Sequence, residues 1–119
     1  MSGALYPPIA LEITVDPVLS PIAAQPGTVG QGIRITVTAR ARPDMALVAA
    51  TGLRVLLRAP GAAVPVAWAQ DQLEEIQPGI WALDAVCDVP GRWRIRAECD
   101  APRPAAREQV LDIRPSMVV

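Results

Sequence analysis

From Ile33 to Arg40 the chain alternates strictly, with Ile33, Ile35, Val37 and Ala39 on one side and Arg34, Thr36, Thr38 and Arg40 on the other. Successive side chains of a β-strand point to opposite faces, so a period of two in a β-branched run describes a strand with one dry face and one wet face. The same period recurs along most of the chain. Leu11, Ile13 and Val15 alternate with Glu12 and Thr14 within Ala10 to Val15, and Leu53, Val55, Leu57 and Ala59 alternate with Arg54, Leu56 and Arg58. Trp81, Leu83, Ala85 and Cys87 oppose Ala82, Asp84 and Asp88. Trp93, Ile95, Ala97 and Cys99 oppose Arg92, Arg94, Arg96 and Glu98, and Leu111 and Ile113 oppose Val110, Asp112 and Arg114.

Turn signals separate these runs. Pro60 and Gly61 join Leu53 to Ala59 to a returning strand, Val64 to Ala69, which carries Trp68; the pair is predicted to be a hairpin. Residues 16 to 30, with three prolines and two glycines, are predicted to be an extended connector, and the stretch from Pro43 to Gly52 to be irregular. Asp71, Glu74 and Glu75 lead into a turn at Pro78 and Gly79, Pro90 and Gly91 mark another, residues 100 to 106 form a polar break, and Pro115 ends the last strand. With 13 prolines scattered along 119 residues, long helices are excluded. About seven short strands define an all-β chain, and the expected architecture is an immunoglobulin-like two-sheet antiparallel sandwich with an extended N-terminal segment; a small barrel is the alternative. The expected organisation is an N-terminal strand and proline-rich arm over 1–29, one sandwich over 30–116 and a short tail over 117–119.

Composition narrows the chemistry. The chain has 51% hydrophobic and 19% charged residues, which suits a folded core better than disorder. No apolar run reaches the length of about 18 residues that crosses a bilayer, and MSGALYPPIA lacks the charged start and apolar centre of a secretory signal, so the chain is expected to stay where it is made. All 11 basic residues are arginine, and lysine, histidine, asparagine and phenylalanine are absent. We attribute this bias to GC-rich codons, yet its chemical consequences hold. Lack of histidine removes the commonest general base and metal ligand, and lack of lysine removes Schiff-base chemistry and the phosphate-clamping lysine of nucleotide sites. A net charge of -1 argues against a general nucleic-acid binder.

No catalytic constellation assembles from what remains. Ser-His-Asp and Cys-His arrangements are impossible, and two cysteines are too few for a soft zinc site. Asp71, Glu74 and Glu75 lack the Asp-rich loop of a calcium site and are taken as a solvated turn. Trp68 and Trp81, which could stack on a sugar, are turned into the core by the alternation. Cys87 and Cys99 are expected to be buried, reduced thiols, because a two-residue turn at Pro90 and Gly91 would leave them about 17 Å out of line, well beyond disulfide reach. No catalytic, cofactor-binding or metal-ligating residue is assigned.

One face carries a candidate contact site. In an immunoglobulin-type strand order, the run Trp93 to Cys99 lies between Leu53 to Ala59 and Arg107 to Arg114, which gathers Arg54, Arg58, Arg92, Arg94 and Arg96 on one outer face with Glu98, Glu108 and Asp112. The arginines of such a run chiefly supply the wet side of a strand, paired across to carboxylates at about 0.2 to 1 kcal/mol each. Leu56 and Val110 interrupt this polar face. Outward aliphatics framed by arginines match the composition of protein contacts, so Arg54, Leu56, Arg58, Arg94, Arg96 and Val110 are the candidate docking residues.

The order GQGIRITVTAR, LRVLLRAPG, PVAWAQ, GIWALDAVCDVPGRWRIRAEC and EQVLDIRPS resembles a family of small proteins encoded among the structural genes of tailed bacteriophages and prophages. The shared pattern is a glycine before the first long strand, an arginine-flanked strand ending in Pro-Gly, a Gly-Ile/Val-aromatic strand and a Pro-Gly-x-Trp turn. It covers about residues 30 to 116; residues 1 to 28 lie outside it and depart from the usual family start. The resemblance implies an immunoglobulin-like virion protein at the head-to-tail neck or on the capsid surface, made in the host bacterial cytoplasm. Its implied partners are other virion proteins (capsid, portal or tail) in a symmetric assembly, with no membrane or specific nucleic acid, and it supplies no catalytic residues or cofactor. The competing expectation, from another class, is a bacterial immunoglobulin-like module that binds a carbohydrate or peptide edge-on.

Overall fold

The alternating segments are strands in the computed structural model, which describes residues 9–17 and 32–114. In chain order they are β1 (Ile9–Pro17), β2 (Gly32–Ala41), the two-residue β3 (Ala46–Leu47), β4 (Arg54–Arg58), β5 (Val66–Ala69), β6 (Glu74–Gln77), β7 (Ile80–Val86), β8 (Gly91–Cys99) and β9 (Ala105–Ile113). One turn of 3-10 helix, Gln70–Gln72, joins β5 to β6. Apart from Asp16 and Pro17, the expected connector over 16–30 lies outside the described residues, as do most of the N-terminal arm and the tail.

Two antiparallel sheets result. One runs β1-β2-β7-β6 with β3 added to the end of β2, and the other runs β5-β4-β8-β9. This is the strand order of an immunoglobulin-type sandwich, ABED in one sheet and CFG in the other, with β5 as an additional edge strand beside β4. Facing follows the period of two. Leu11, Ile33, Ile35, Val37, Trp81 and Leu83 of the first sheet meet Val55, Leu57, Trp93, Ile95 and Ala97 of the second, all buried. Each fully buried aliphatic side chain contributes about 1.5 to 3 kcal/mol relative to exposure, so this layer is the principal stabilising term. The indole N–H of Trp93 donates to the Val89 carbonyl at 2.9 Å, which satisfies the one polar atom of a ring otherwise surrounded by apolar groups.

Five local expectations are corrected. Pro90 and Gly91 do not make a hairpin: β7 pairs with β2 and β6, whereas β8 pairs with β4 and β9, so residues 87–90 carry the chain from one sheet to the other. Glu74 and Glu75, which with Asp71 are taken from sequence as a solvated turn, belong to a strand: Glu74–Gln77 pairs with the start of β7 and shields that edge. Ala82, placed by alternation on the wet face, is buried, because Thr36 and Glu74 flank it on either side in the same sheet. Trp68 is half-buried against the core rather than within it. The last strand starts at Ala105, inside the expected polar break.

Candidate functional site

The outer face of the four-stranded sheet is built by β8 at its centre, with β4 on one side and β9 on the other. Its register is fixed by direct pairs: Arg54 opposite Glu98, Leu56 opposite Arg96 and Arg58 opposite Arg94 across β4 and β8, then Arg92 opposite Asp112, Arg94 opposite Val110 and Arg96 opposite Glu108 across β8 and β9. All six candidate docking residues therefore lie on this face. Leu56 and Val110 do not touch as one apolar patch, because Arg94 and Arg96 stand between them. Leu56 is half-buried and Val110 is 42% exposed.

Most of the guanidinium groups are engaged. Arg54 binds Glu98 at 2.7 Å and Asp100 at 3.1 Å, and Arg96 binds Glu98 closely and reaches Glu108 at 3.7 Å. Hydrogen bonds from Arg96 and then Arg54 hold the Glu98 carboxyl below the usual carboxylate range, against the opposing effect of its partial burial. The bond to Asp100 leads, and that to Glu98 follows, in raising the affinity of Arg54 for its proton. Gly52 is required at this corner: its φ is +69°, and a Cβ there would stand 2.2 Å from the Asp100 carboxylate that Arg54 binds.

The opposite end of the face differs. Arg94 meets Glu108 at 3.3 Å and Arg92 meets Asp112 at 3.4 Å, each through a single long bond. Arg58 binds no carboxylate among the described residues; its Nε donates to the Ala62 carbonyl and its Nη2 to the Ala63 carbonyl, both at 2.9 Å, which ties it to the β4–β5 turn. That turn rests on the start of β8. Gly91 has φ +125°, and a Cβ on it would lie 2.8 Å from the Pro60 ring. Between these parts lies a depression of about 240 Å³ lined by Arg58, Pro60, Ala62, Arg92 and Arg94. Arg92 was not among the candidate docking residues, although the same alternation that selected Arg94 and Arg96 points it to this face.

A second, apolar concavity of about 410 Å³ lies between β5 and the end of β7, with Val64, Val66, Trp68, Val86 and Trp93 in its wall. Sequence pattern missed it because Val64, Val66, Trp68 and Trp93 read locally as core and Val86 as an isolated residue of a wet face. It opens where β6 stops pairing: β6 covers only Ile80–Ala82 of β7, which leaves Leu83 to Val86 without a strand on that side.

Among the described residues no group of three or more His, Cys, Asp or Glu side chains is placed to hold a metal ion. Asp71 sits in the 3-10 turn, while Glu74 binds Arg34 at 2.6 Å on the other sheet. Cys87 and Cys99 are buried and free. Burial pushes the Cys87 thiol up to about 11, with nearby Asp88 adding to the shift, and burial also raises Cys99. The hairpin geometry expected to separate them does not form: Cys99 ends β8, whereas Cys87 lies in the connection between the two sheets. No family model, curated protein or solved structure matches the chain.

Proposed function

We propose that this protein is a non-enzymatic structural component of a tailed-phage virion, at the head-to-tail neck or on the capsid surface, and that it docks through the outer face of its four-stranded sheet. The observation that carries the reading is that face: a rigid sheet presents Arg54, Arg58, Arg94 and Arg96 around two outward aliphatics, Leu56 and Val110. Arginine and aliphatic groups on a stiff platform match the make-up of protein contacts. The sequence pattern over residues 30 to 116 supplies the virion context. The protein would be made in the host bacterial cytoplasm and incorporated by contact with capsid, portal or tail proteins. Quantitative mass spectrometry of gradient-purified particles tests this: the protein should be present at a fixed copy number, and particles lacking its gene should show altered necks or reduced head stability by negative stain. Absence from particles, or particles normal in both respects without it, would overturn the assignment.

The half-buried Trp68 favours a second reading, a module that binds a carbohydrate or a peptide edge-on in the apolar concavity beside β5. Saturable binding on a peptide or glycan array, weakened by Trp68→Ala without loss of fold, would replace the first reading with this one.

A further inference from the structure

We infer that the depression between the β4–β5 turn and the start of β8 is a carboxylate-binding subsite, occupied by an acidic side chain of an extended, partly apolar segment of a partner protein. The inference rests on the docking role proposed for this face and names the chemistry of what docks.

Three features point to an anion. Arg58 and Arg94 are in direct register, and like charges directly opposite one another are destabilising unless something lies between them. No carboxylate lines the depression, although Glu98, Glu108 and Asp112 occupy the rest of the same face. The cations are also prepared for a ligand. Arg58 is held by two turn carbonyls, so little side-chain freedom remains to be lost on binding. Arg92 and Arg94 each spend one long bond on a carboxylate, which leaves most of the five N–H donors of each guanidinium for a further partner. Gly91 and Pro60 fix the backbone beneath them.

Charge balance and the neighbouring apolar groups choose among anions. Five arginines on this face stand against Glu98, Glu108, Asp112 and Asp100, a small local excess in a chain of net charge -1. Nucleic acid is held by neutralising many phosphates together, and this face has nothing of that scale. Val110 beside Arg94 and Leu56 beside Arg96 offer apolar contacts that a peptide side chain fills and a phosphate backbone does not. An acidic residue flanked by aliphatics, on a protein segment laid across the strands, satisfies both.

The test is an amide-detected NMR titration of the whole chain, at a salt concentration of about 0.1 M. The probes are a capped peptide alternating Glu and Val, the same peptide with Gln for Glu, inorganic phosphate, and a short DNA duplex. The Glu peptide should shift Gly61, Ala62, Arg92 and Arg94 saturably, and the Gln peptide should bind at least about tenfold more weakly. The double variant Arg92→Gln/Arg94→Gln should lose the response, and Arg34→Gln on the opposite sheet should keep it. No saturable response to the Glu peptide, equal binding of the two peptides, tighter binding of the duplex, or phosphate reproducing every shift at the same concentration as the Glu peptide would each overturn the inference. Particle incorporation is scored separately: normal incorporation with no peptide binding sinks the subsite alone, whereas absence of the wild-type protein from particles sinks the docking role.

Discussion

Arg58 on β4 and Arg94 on β8 face each other directly at one end of the outer sheet face, two cations in register. Arg94 leans towards Glu108 and Arg58 turns back to the Ala62 and Ala63 carbonyls, so each is drawn away from the other by a different partner. Such a pair should show repulsive coupling. In a double-mutant cycle with Arg58→Gln and Arg94→Gln, measured by urea unfolding, the double variant should be less stable than the two single effects sum to, because either single change already relieves the repulsion. The coupling should be a few tenths of a kcal/mol and should shrink as salt rises to about 1 M. A favourable coupling, or one indifferent to salt, would contradict the register.

Neighbours on one strand should differ sharply. Trp93 is 4% exposed, and its indole hydrogen bond is satisfied by Val89, so Trp93→Ala should cost about 3 to 5 kcal/mol as a core truncation. Arg94→Ala, one residue along on the wet face, should fall within about 0.5 kcal/mol of neutral. Denaturant midpoints decide this, and equal losses would reverse the facing of β8.

Two glycines with positive φ, Gly61 in the β4–β5 turn and Gly91 at the start of β8, make a matched pair. Gly91→Ala meets both an unfavourable backbone conformation and the Pro60 ring at 2.8 Å, and should lose roughly 1 to 3 kcal/mol. Gly61→Ala, at φ +74° with no atom within 4 Å, carries the backbone cost alone and should lose less, about 1 kcal/mol. Thermal midpoints in that order are expected; the reverse order would mean that the turn does not rest on β8.

Acid should weaken the Arg54–Glu98–Arg96 cluster. Glu98 has a folded pKa below its unfolded one, so its contribution is fully present above about pH 4.3 and is lost as pH falls through the folded value. Glu98→Gln should therefore cost roughly 1 kcal/mol at pH 7 and much less at about pH 2. A cost independent of pH, followed by urea unfolding at both values, would rule out the ion pairs as its source.

The buried thiol of Cys87 titrates in the opposite sense. Its folded pKa of about 11 exceeds that of an unfolded cysteine, about 8.5, so stability should decline as pH rises from the lower value towards the higher. A thiol-specific reagent at pH 8 should label Cys87 and Cys99 only at the rate of unfolding. Immediate labelling of the folded protein would show an open path to one of them.

Alternation alone determined which side of each long strand is dry. Ile33 to Arg40 and Trp93 to Cys99 face as their spacing dictates, because a pleated strand has no other way to bury one set of side chains and wet the other. The outer arginine face was legible for the same reason once a strand order was assumed. Partnership between strands is another matter, since hydrogen-bond neighbours are chosen by the whole packed core and not by the residues of one segment. Pro90 and Gly91 have the composition of a hairpin turn, yet they lie where the chain changes sheets, because β8 closes the core only when it lies between β4 and β9. Glu74–Gln77 has little strand propensity and pairs because β7 presents an edge to it. Tertiary structure decided, by that same choice of partners, that Arg58 meets Arg94 and that Pro60 rests on Gly91; the arginine-lined depression exists because segments more than 30 residues apart in sequence are brought into register.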